Sequence, residues 1–320
     1  MRPPTVSVNI AVKNRRALVA ACLDGLAAQT VEGFEVVVVD NGSTDGTREL
    51  LDERAADPTV PFALRVFSCD GSLGAVRNAG VTASSADIVA FVDSDCVPTP
   101  QWLERGLAYF VDDRVGTVQG ATLPDPVLPR GRWDATQELT KFTGRYEACN
   151  LFYRRKLLEE AGGFDERIGF FGEDSMAGWA VRRLGFDERF APDALVHHTV
   201  TFPGVRWHWR RALGYGNWNA LVRRFPEMRA MLWHRVFLRP DGARTIAAFV
   251  GLIALAVALL TRSSAALGVA VALLAPFVWR HRPYSLRPIA FVDSVASAGF
   301  DAAIELALLW GSIRERTLVL

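Results

Sequence analysis

The sequence predicts an α/β fold, a mostly parallel sheet with helices on both faces, followed by a C-terminal membrane helical hairpin and an amphipathic helix. Three observations predict it. Short β-rich runs alternate with helical patterns up to Val92 in the order β-α-β-α-β-α-β, which builds a parallel sheet. Residues 34–39, apolar but for Glu35, form a run of the kind buried on both faces of such a sheet. Residues 246–260 and 265–279 carry no charge at all, unlike anything before them.

Taken in order, residues 6–12 read as a strand, and Asn14 then caps a helix whose Leu18, Cys22 and Leu26 share one face at spacing four. The run 34–39 stops at Asp40, and residues 41–46 (Asn-Gly-Ser-Thr-Asp-Gly) are turn chemistry before a helix over 47–56. Residues 63–67 and 88–92 are two further strands, with a short helix over 73–81 between them. Ligands of such sheets sit at the carboxyl ends of the strands, where this sequence places Asn14, Asp40, Asp70 and Asp93. Beyond Asp95 the pattern loosens. Residues 100–111 read as a helix, 115–119 as a strand, 123–132 as a Pro-rich loop and 173–184 as another helix, before the run Leu195-Val196-His197-His198.

At 320 residues the chain has length for one large or two ordinary domains of about 150 residues each. The formal charge of +1 provides no global field for nucleic acid, and none is expected as a partner. A mean hydropathy of +0.14 is high for a wholly soluble protein, and the excess lies in the tail. Cys22, Cys69, Cys96 and Cys149 show no C-x-x-C spacing, which fits a reducing compartment. The chain passes from Met1-Arg2-Pro3-Pro4 straight into the first strand without the apolar stretch of an export signal. The expected location is the cytoplasmic membrane, with residues 1–203 facing the cytoplasm.

Residues 204–243 are basic and rich in tryptophan. Between 204 and 239 eight arginines face one acidic residue, Glu227, and Trp207, Trp209, Trp218 and Trp233 are interleaved. That composition suits an anionic bilayer surface, where each basic side chain contributes about 1 kcal/mol and indole rings favour the headgroup level. Within residues 244–320, the charge-free pair forms a hairpin over 246–279 with a turn at Thr261-Arg262-Ser263-Ser264. Arginines on both flanks place both ends of the hairpin on the cytoplasmic side, with membrane lipids as partners. Each apolar run is shorter than the ~20 residues that span a bilayer, so a buried or re-entrant hairpin is the competing arrangement. Over 289–310, Asp293, Ser297, Asp301 and Glu305 fall on one side, the pattern of an amphipathic helix on the membrane or against the hairpin.

The strongest chemical cluster is Phe91-Val92-Asp93-Ser94-Asp95-Cys96, where two carboxylates at i and i+2 end a strand and can share a divalent cation. Alone it would be an ordinary turn. It is joined by the strand ending in Asp40 and by Gly71-Ser72-Leu73-Gly74-Ala75-Val76-Arg77-Asn78-Ala79-Gly80, a Gly-rich turn that opens a helix carrying an arginine. In this order and spacing the stretches resemble the family 2 glycosyltransferases of the GT-A fold, of membrane-associated bacterial type, over residues 7–225.

The resemblance implies a role for each matched position. Asp40 is similar to an aspartate that binds the nucleobase, with Asn14 near it, and Arg77 to an arginine near base and diphosphate. Asp93 and Asp95 resemble the D-x-D pair, the first toward the ribose and the second on Mg2+ or Mn2+. Gly162-Gly163-Phe164-Asp165-Glu166 and Phe170-Phe171-Gly172-Glu173-Asp174 resemble the acceptor-side segment, with Asp174 as general base and Glu173 beside it. His197 and His198 resemble a histidine over the diphosphate or metal; His198 is placed on the metal and His197 on the donor. Arg210 and Arg211 then meet a phosphate of donor or lipid acceptor, or lipid headgroups. Lys13 meets a phosphate or solvent.

The implied activity is inverting transfer of a sugar from a nucleotide-diphosphate sugar donor to a hydroxyl of a lipid-linked or cell-envelope glycan acceptor. A cation on Asp95 with Arg77 nearby would stabilise the charge that develops on the leaving diphosphate. A carboxylate at a helix start can deprotonate the acceptor. Two alternatives stand beside it: a polyprenyl-phosphate sugar synthase, whose phosphate acceptor needs no strong base, and a non-catalytic nucleotide-sugar-binding membrane protein. A Rossmann dehydrogenase is disfavoured because no G-x-G-x-x-G follows the first strand.

Overall fold

The computed structural model describes residues 4–168 and 172–320. Two compact units meet at the Pro203/Gly204 boundary. In the first, β1 (Ser7–Val12), α1 (Arg16–Ala27), β2 (Glu35–Asp40), α2 (Thr47–Ala56), β3 (Ala63–Ser68), α3 (Leu73–Ala83) and β4 (Ile88–Val92) follow the predicted alternation. They are followed by β5 (Cys96–Pro98), α4 (Trp102–Leu107), β6 (Val115–Pro124), β7 (Asn150–Arg154), α5 (Arg155–Glu160), α6 (Glu173–Arg182) and β8 (Asp187–His198).

One eight-stranded sheet runs in the order β3-β2-β1-β4-β7-β6-β8-β5. The strands β1 to β4 are mutually parallel, as their apolar runs predict: every residue of β2 and β4 is buried. The second half corrects the expectation of a mostly parallel sheet. There β7 runs antiparallel to both β4 and β6, and β5 antiparallel to β8, so the whole is mixed. The cause is local: β7 enters after a loop rather than a crossover helix, and only crossovers enforce parallel pairing.

The site depends on how closely α3 lies on β1. At Gly80 a Cβ would come within 2.3 Å of Asn9 Oδ1, so only glycine permits this approach. The buried Asn9 in turn donates from Nδ2 to Ser84 Oγ at 3.0 Å, at the C-terminal cap of α3. Arg77, one turn before Gly80, is thereby pressed against the strand ends.

The second unit holds α7 (Val205–Gly214), α8 (Trp218–Arg224), α9 (Gly242–Thr261), α10 (Ser264–Arg280) and α11 (Pro288–Glu315). Arg262, left-handed at φ 53°, ends α9, and Ser263 Oγ caps α10 by accepting from Ala266 N at 3.2 Å; the two helices then pack side by side. At 20 residues α9 is long and apolar enough to cross a membrane, whereas α10 is shorter at 17, so the paired spans expected over 246–279 reduce to one helix of spanning length.

The predicted polar face of α11 is present but faces inward. Asp301 and the fully buried Glu305 pair with Arg239 at 2.9 and 3.2 Å, and Asp301 also meets His281 at 3.3 Å. Ile289, Val292, Val295, Leu306, Trp310 and Ile313 of the same helix are exposed. Arg239 therefore leaves the basic surface of 204–243 and works as an internal counterion, while Arg206, Arg210, Arg223, Arg224 and Arg235 remain outside.

Candidate functional site

The ends of β1, β2 and β4 and the start of α3 enclose an open cleft of about 250 Å³. Lys13 and Arg15 line it from the β1 end, Asn41 from β2, Leu73 and Val76 from α3, and Asp93 and Asp95 from the turn after β4.

The β2 end departs from expectation. Asp40 is buried, and its Oδ1 accepts from Ser43 Oγ at 2.5 Å and from Ser43 N at 3.2 Å, so its carboxylate closes its own turn. Asn14, at φ 52°, points the same way: its Oδ1 accepts from Thr44 N at 2.7 Å. Neither lines the cleft; their neighbours Asn41 and Arg15 do. Asn41 ties β2 to the Gly-rich turn by a reciprocal pair with Gly71, donating to its carbonyl at 3.1 Å and accepting from its N–H at 3.3 Å.

Arg77 is a hub. It is buried, with Nη1 2.5 Å from Glu173 Oε1 and Nη2 3.3 Å from Asp93 Oδ1, and its guanidinium lies over the Phe164 ring. The next residue, Asn78, clips the 162–166 segment to α3: its Nδ2 donates to the Phe164 carbonyl at 2.9 Å and its Oδ1 accepts from Phe164 N at 2.8 Å. The Arg-Asn dipeptide thus joins the donor-side helix to the predicted acceptor-side segment. Phe170 and Phe171 of that segment lie outside the described residues.

Glu173 and Asp174 open α6 after the left-handed Gly172. Their predicted partnership in base chemistry separates. Glu173 is buried and consumed as the counterion of Arg77. Asp174 keeps partial exposure, with Oδ1 accepting from Ser175 N at 2.7 Å and Oδ2 from Ala148 N at 3.3 Å. Burial first, and then the neighbouring Glu173 charge, push its carboxyl well above the usual carboxylate range. Ala148, whose N–H donates to Asp174, lines one small cavity together with Arg77 and Asp93; Asp174 itself lines neither that cavity nor the cleft.

Asp95 and His198 come together across the β5–β8 pairing, with His198 Nε2 3.6 Å from Asp95 Oδ2. His198 Nδ1 lies 2.7 Å from the Thr199 carbonyl, which can only accept, so that contact holds the ring with Nε2 as the nitrogen facing Asp95. The buried Asp95 Oδ1 has no partner among the described residues. Asp95, with one carboxylate oxygen unpartnered and the other facing an imidazole nitrogen, offers the oxygen and nitrogen donors that Mg2+ or Mn2+ takes, so these residues fit such an ion. Cys96 Sγ belongs to the same group, all within 4.8 Å, a donor the sequence pattern did not single out.

His197 is not brought to this cluster. It precedes His198 on a strand, where successive side chains face opposite sides, and it pairs with Val97. Arg210 and Arg211 lie on α7 of the second unit, Arg210 exposed and Arg211 over the Trp207 ring at 5.3 Å. Sequence reasoning missed Arg15, which forms an ion pair with Asp95, and Glu147, whose carboxyl accepts from Thr143 Oγ1 at 2.8 Å. The only sequence signal for Arg15 is its place one residue after Asn14 at a strand end.

Comparison with known proteins agrees with this geometry. The model of "Glycosyl transferase family 2" matches residues 7–170. Glycosyltransferase AglE of Haloferax volcanii is 33% identical over 209 residues, covering 61% of this chain and 67% of that protein. The pre-mycofactocin glycosyltransferase of Mycobacterium tuberculosis is 29% identical over 252 residues, covering 72% of this chain but only 52% of that protein. Among solved structures, the mannosyltransferase PcManGT of Pyrobaculum calidifontis, in complex with GDP-Man and Mn2+, has a TM-score of 0.61 at 20% identity, covering 99% of this chain and 88% of that one. S. aureus TarS 1-349 in complex with UDP gives 0.51 at 18% identity, covering 98% and 92%. Those two structures share the fold. With more than half its length matched by the family model and the strand-end cleft in place, the chain belongs to glycosyltransferase family 2 and is a sugar-transferring enzyme of the GT-A type.

Proposed function

We propose that the first unit transfers a sugar, with inversion, from a nucleoside-diphosphate sugar to a hydroxyl of a lipid-linked or envelope-glycan acceptor at the cytoplasmic membrane face. The observation that carries the donor half is the Asp95–His198 pair, an unpartnered carboxylate oxygen and an imidazole nitrogen that fit a divalent cation at a strand-end cleft. A divalent ion bound there supplies Lewis-acid stabilisation of the leaving diphosphate. The nucleotide and Mn2+ complexes of the two structural relatives support the same reading.

The chain's own residues do the rest. Asp93 faces the cleft and is steadied by Arg77, whose charge is fixed by two carboxylates rather than held free for the donor. Asp174 accepts the acceptor's proton. Its raised carboxyl makes it a stronger base than an ordinary aspartate once ionised, closer in proton affinity to the hydroxyl it must help. A phosphate acceptor would not need that base, so loss of Asp174 separates a hydroxyl acceptor from the polyprenyl-phosphate alternative.

The membrane half rests on the second unit. The side chains of Val250, Ile253, Val257 and Leu260 on α9 are exposed, and so are Ile289, Val292, Val295, Leu306 and Ile313 of α11, an arrangement with charges inside and aliphatic groups outside that suits lipid rather than water. The deciding experiment incubates membranes containing the protein with a panel of nucleotide sugars and extracted lipids, with and without chelator. Chelator-sensitive release of a nucleoside diphosphate together with a labelled lipid product is expected. Release without any lipid-extractable product would remove the acceptor half, and no release from any donor would remove the whole reading.

A further inference from the structure

Arg15 has no part in the roles assigned so far, yet its guanidinium is ion-paired with the same Asp95 Oδ2 that lies 3.6 Å from His198 Nε2. We propose that Arg15 stands in for the divalent cation while the cleft is empty, and passes to the donor's diphosphate when the cation takes Asp95. The proposal deepens the nucleotide-sugar reading and rests on it.

Three features of the site carry the argument. First, a guanidinium keeps its charge at every accessible pH, so Asp95 is never left uncompensated at the cleft floor. Second, the exchange needs only a side-chain movement. The backbone of Arg15 is fixed, its N–H donating to Thr47 Oγ1 at 3.0 Å at the start of α1, while its side chain is 41% exposed against 10% for Asp95. Third, a divalent ion on the unpartnered Asp95 Oδ1 would sit across one carboxylate from a guanidinium on Oδ2, and the repulsion of the two like charges at that separation opposes holding both.

The released guanidinium lies in a cleft already lined by Lys13, where it needs an anion. A diphosphate supplies one, and the planar fork of arginine matches two phosphate oxygens at once. The result is linkage: Arg15 weakens the cation alone and strengthens the diphosphate in its presence, so the two bind in concert.

The test compares the full-length wild type with Arg15→Ala, Arg15→Gln and Lys13→Ala. Each is titrated with Mn2+ alone, free Mn2+ being followed by electron paramagnetic resonance, and then with inorganic pyrophosphate at saturating Mn2+. Both Arg15 variants are expected to bind Mn2+ alone about tenfold more tightly than wild type, the scale left to a partly exposed ion pair after solvent screening, and pyrophosphate about tenfold more weakly. Lys13→Ala, which removes the same charge from the same cleft without touching Asp95, is expected to keep the wild-type Mn2+ affinity. Unchanged or weakened Mn2+ binding in both Arg15 variants overturns the proposal, as does unchanged pyrophosphate binding or a Lys13→Ala that behaves like Arg15→Ala. Absence of Mn2+ binding in every protein overturns both the proposal and the cation site. The expected shifts in a wild type that turns over no nucleotide sugar would overturn the donor reading alone.

Discussion

Asp174 is held by two backbone N–H groups, which favour its ionised form, yet burial and the adjacent Glu173 outweigh them and raise its carboxyl. For a base only the ionised form works, so the acid limb of kcat/KM against pH is expected to lie above the range of an ordinary aspartate, with the rate climbing as pH rises through that limb. For stability the sign is opposite. The folded chain binds this proton more tightly than the unfolded one, so the contribution of Asp174 is greatest in acid and declines as pH rises. Asp174→Asn is expected to lower kcat by about 10²- to 10⁴-fold with a smaller change in KM, measured as nucleoside diphosphate release. A variant with full activity would point to a phosphate acceptor. Asp95 tests the donor side: Asp95→Ala removes a cation ligand and is expected to lower kcat/KM by roughly 10²- to 10³-fold, a loss that added Mn2+ only partly restores. His198→Ala is expected to lose less, because the carboxylate it leaves still attracts the ion.

At the level of elements, the sequence was most readable where one periodicity ruled. The strands β1, β2 and β4 announced themselves as apolar runs ended by polar residues, and α3 by a Gly-rich turn whose Ser72 caps it. The three-residue β5, and β7, which follows a loop and runs straight into α5, gave no such signal, because their pairing is decided by distant partners rather than by local pattern. The same division runs through the site. Spacing and resemblance picked out Asp93, Asp95, Arg77, Asp174 and His198 as candidates, but a spacing does not say which way a side chain turns. Asp40 and Glu173 turned inward to Ser43 and Arg77, and Arg15 turned toward Asp95. The bulge between Gly120 and Ala121 makes the point for packing. There Asn150 of β7 donates to the carbonyls of Ala121 at 2.6 Å and Ala194 at 2.8 Å, and accepts from Trp102 Nε1 at 2.8 Å. Asn150→Leu would strand three buried polar groups at about 1–3 kcal/mol each, and the chain is expected to unfold several degrees or more below wild type in a thermal melt.

On the scale of the molecule, the two units differ most in the apolar surface they expose. The first buries an aliphatic sheet, together with paired charges such as Arg77 and Glu173. The second draws Asp301, Glu305 and the half-buried Arg239 inward and exposes Ile253, Val257, Leu260, Ile289 and Val295. In water such an arrangement is costly, since each exposed aliphatic side chain forgoes about 1.5–3 kcal/mol of burial; against acyl chains the same surface is favourable. Arg239 is the cation partner of the fully buried Glu305, while Asp301 would keep His281 at 3.3 Å and Arg280 at 3.6 Å, and Arg239→Ala is expected to cost about 3–5 kcal/mol through the buried carboxylate it leaves unpaired. The outer surface is tested separately. Replacing Ile253, Val257 and Leu260 together by Ser removes apolar contact from α9 without touching the cluster or the cleft. The triple variant is expected to lose co-flotation with vesicles of phosphatidylethanolamine and phosphatidylglycerol, yet to release nucleoside diphosphate from its donor at the wild-type rate when offered a soluble acceptor fragment. Transfer to an acceptor embedded in the vesicle should fall with the flotation. A variant that floats like wild type would mean that the exposed aliphatic face of α9 meets protein instead of lipid.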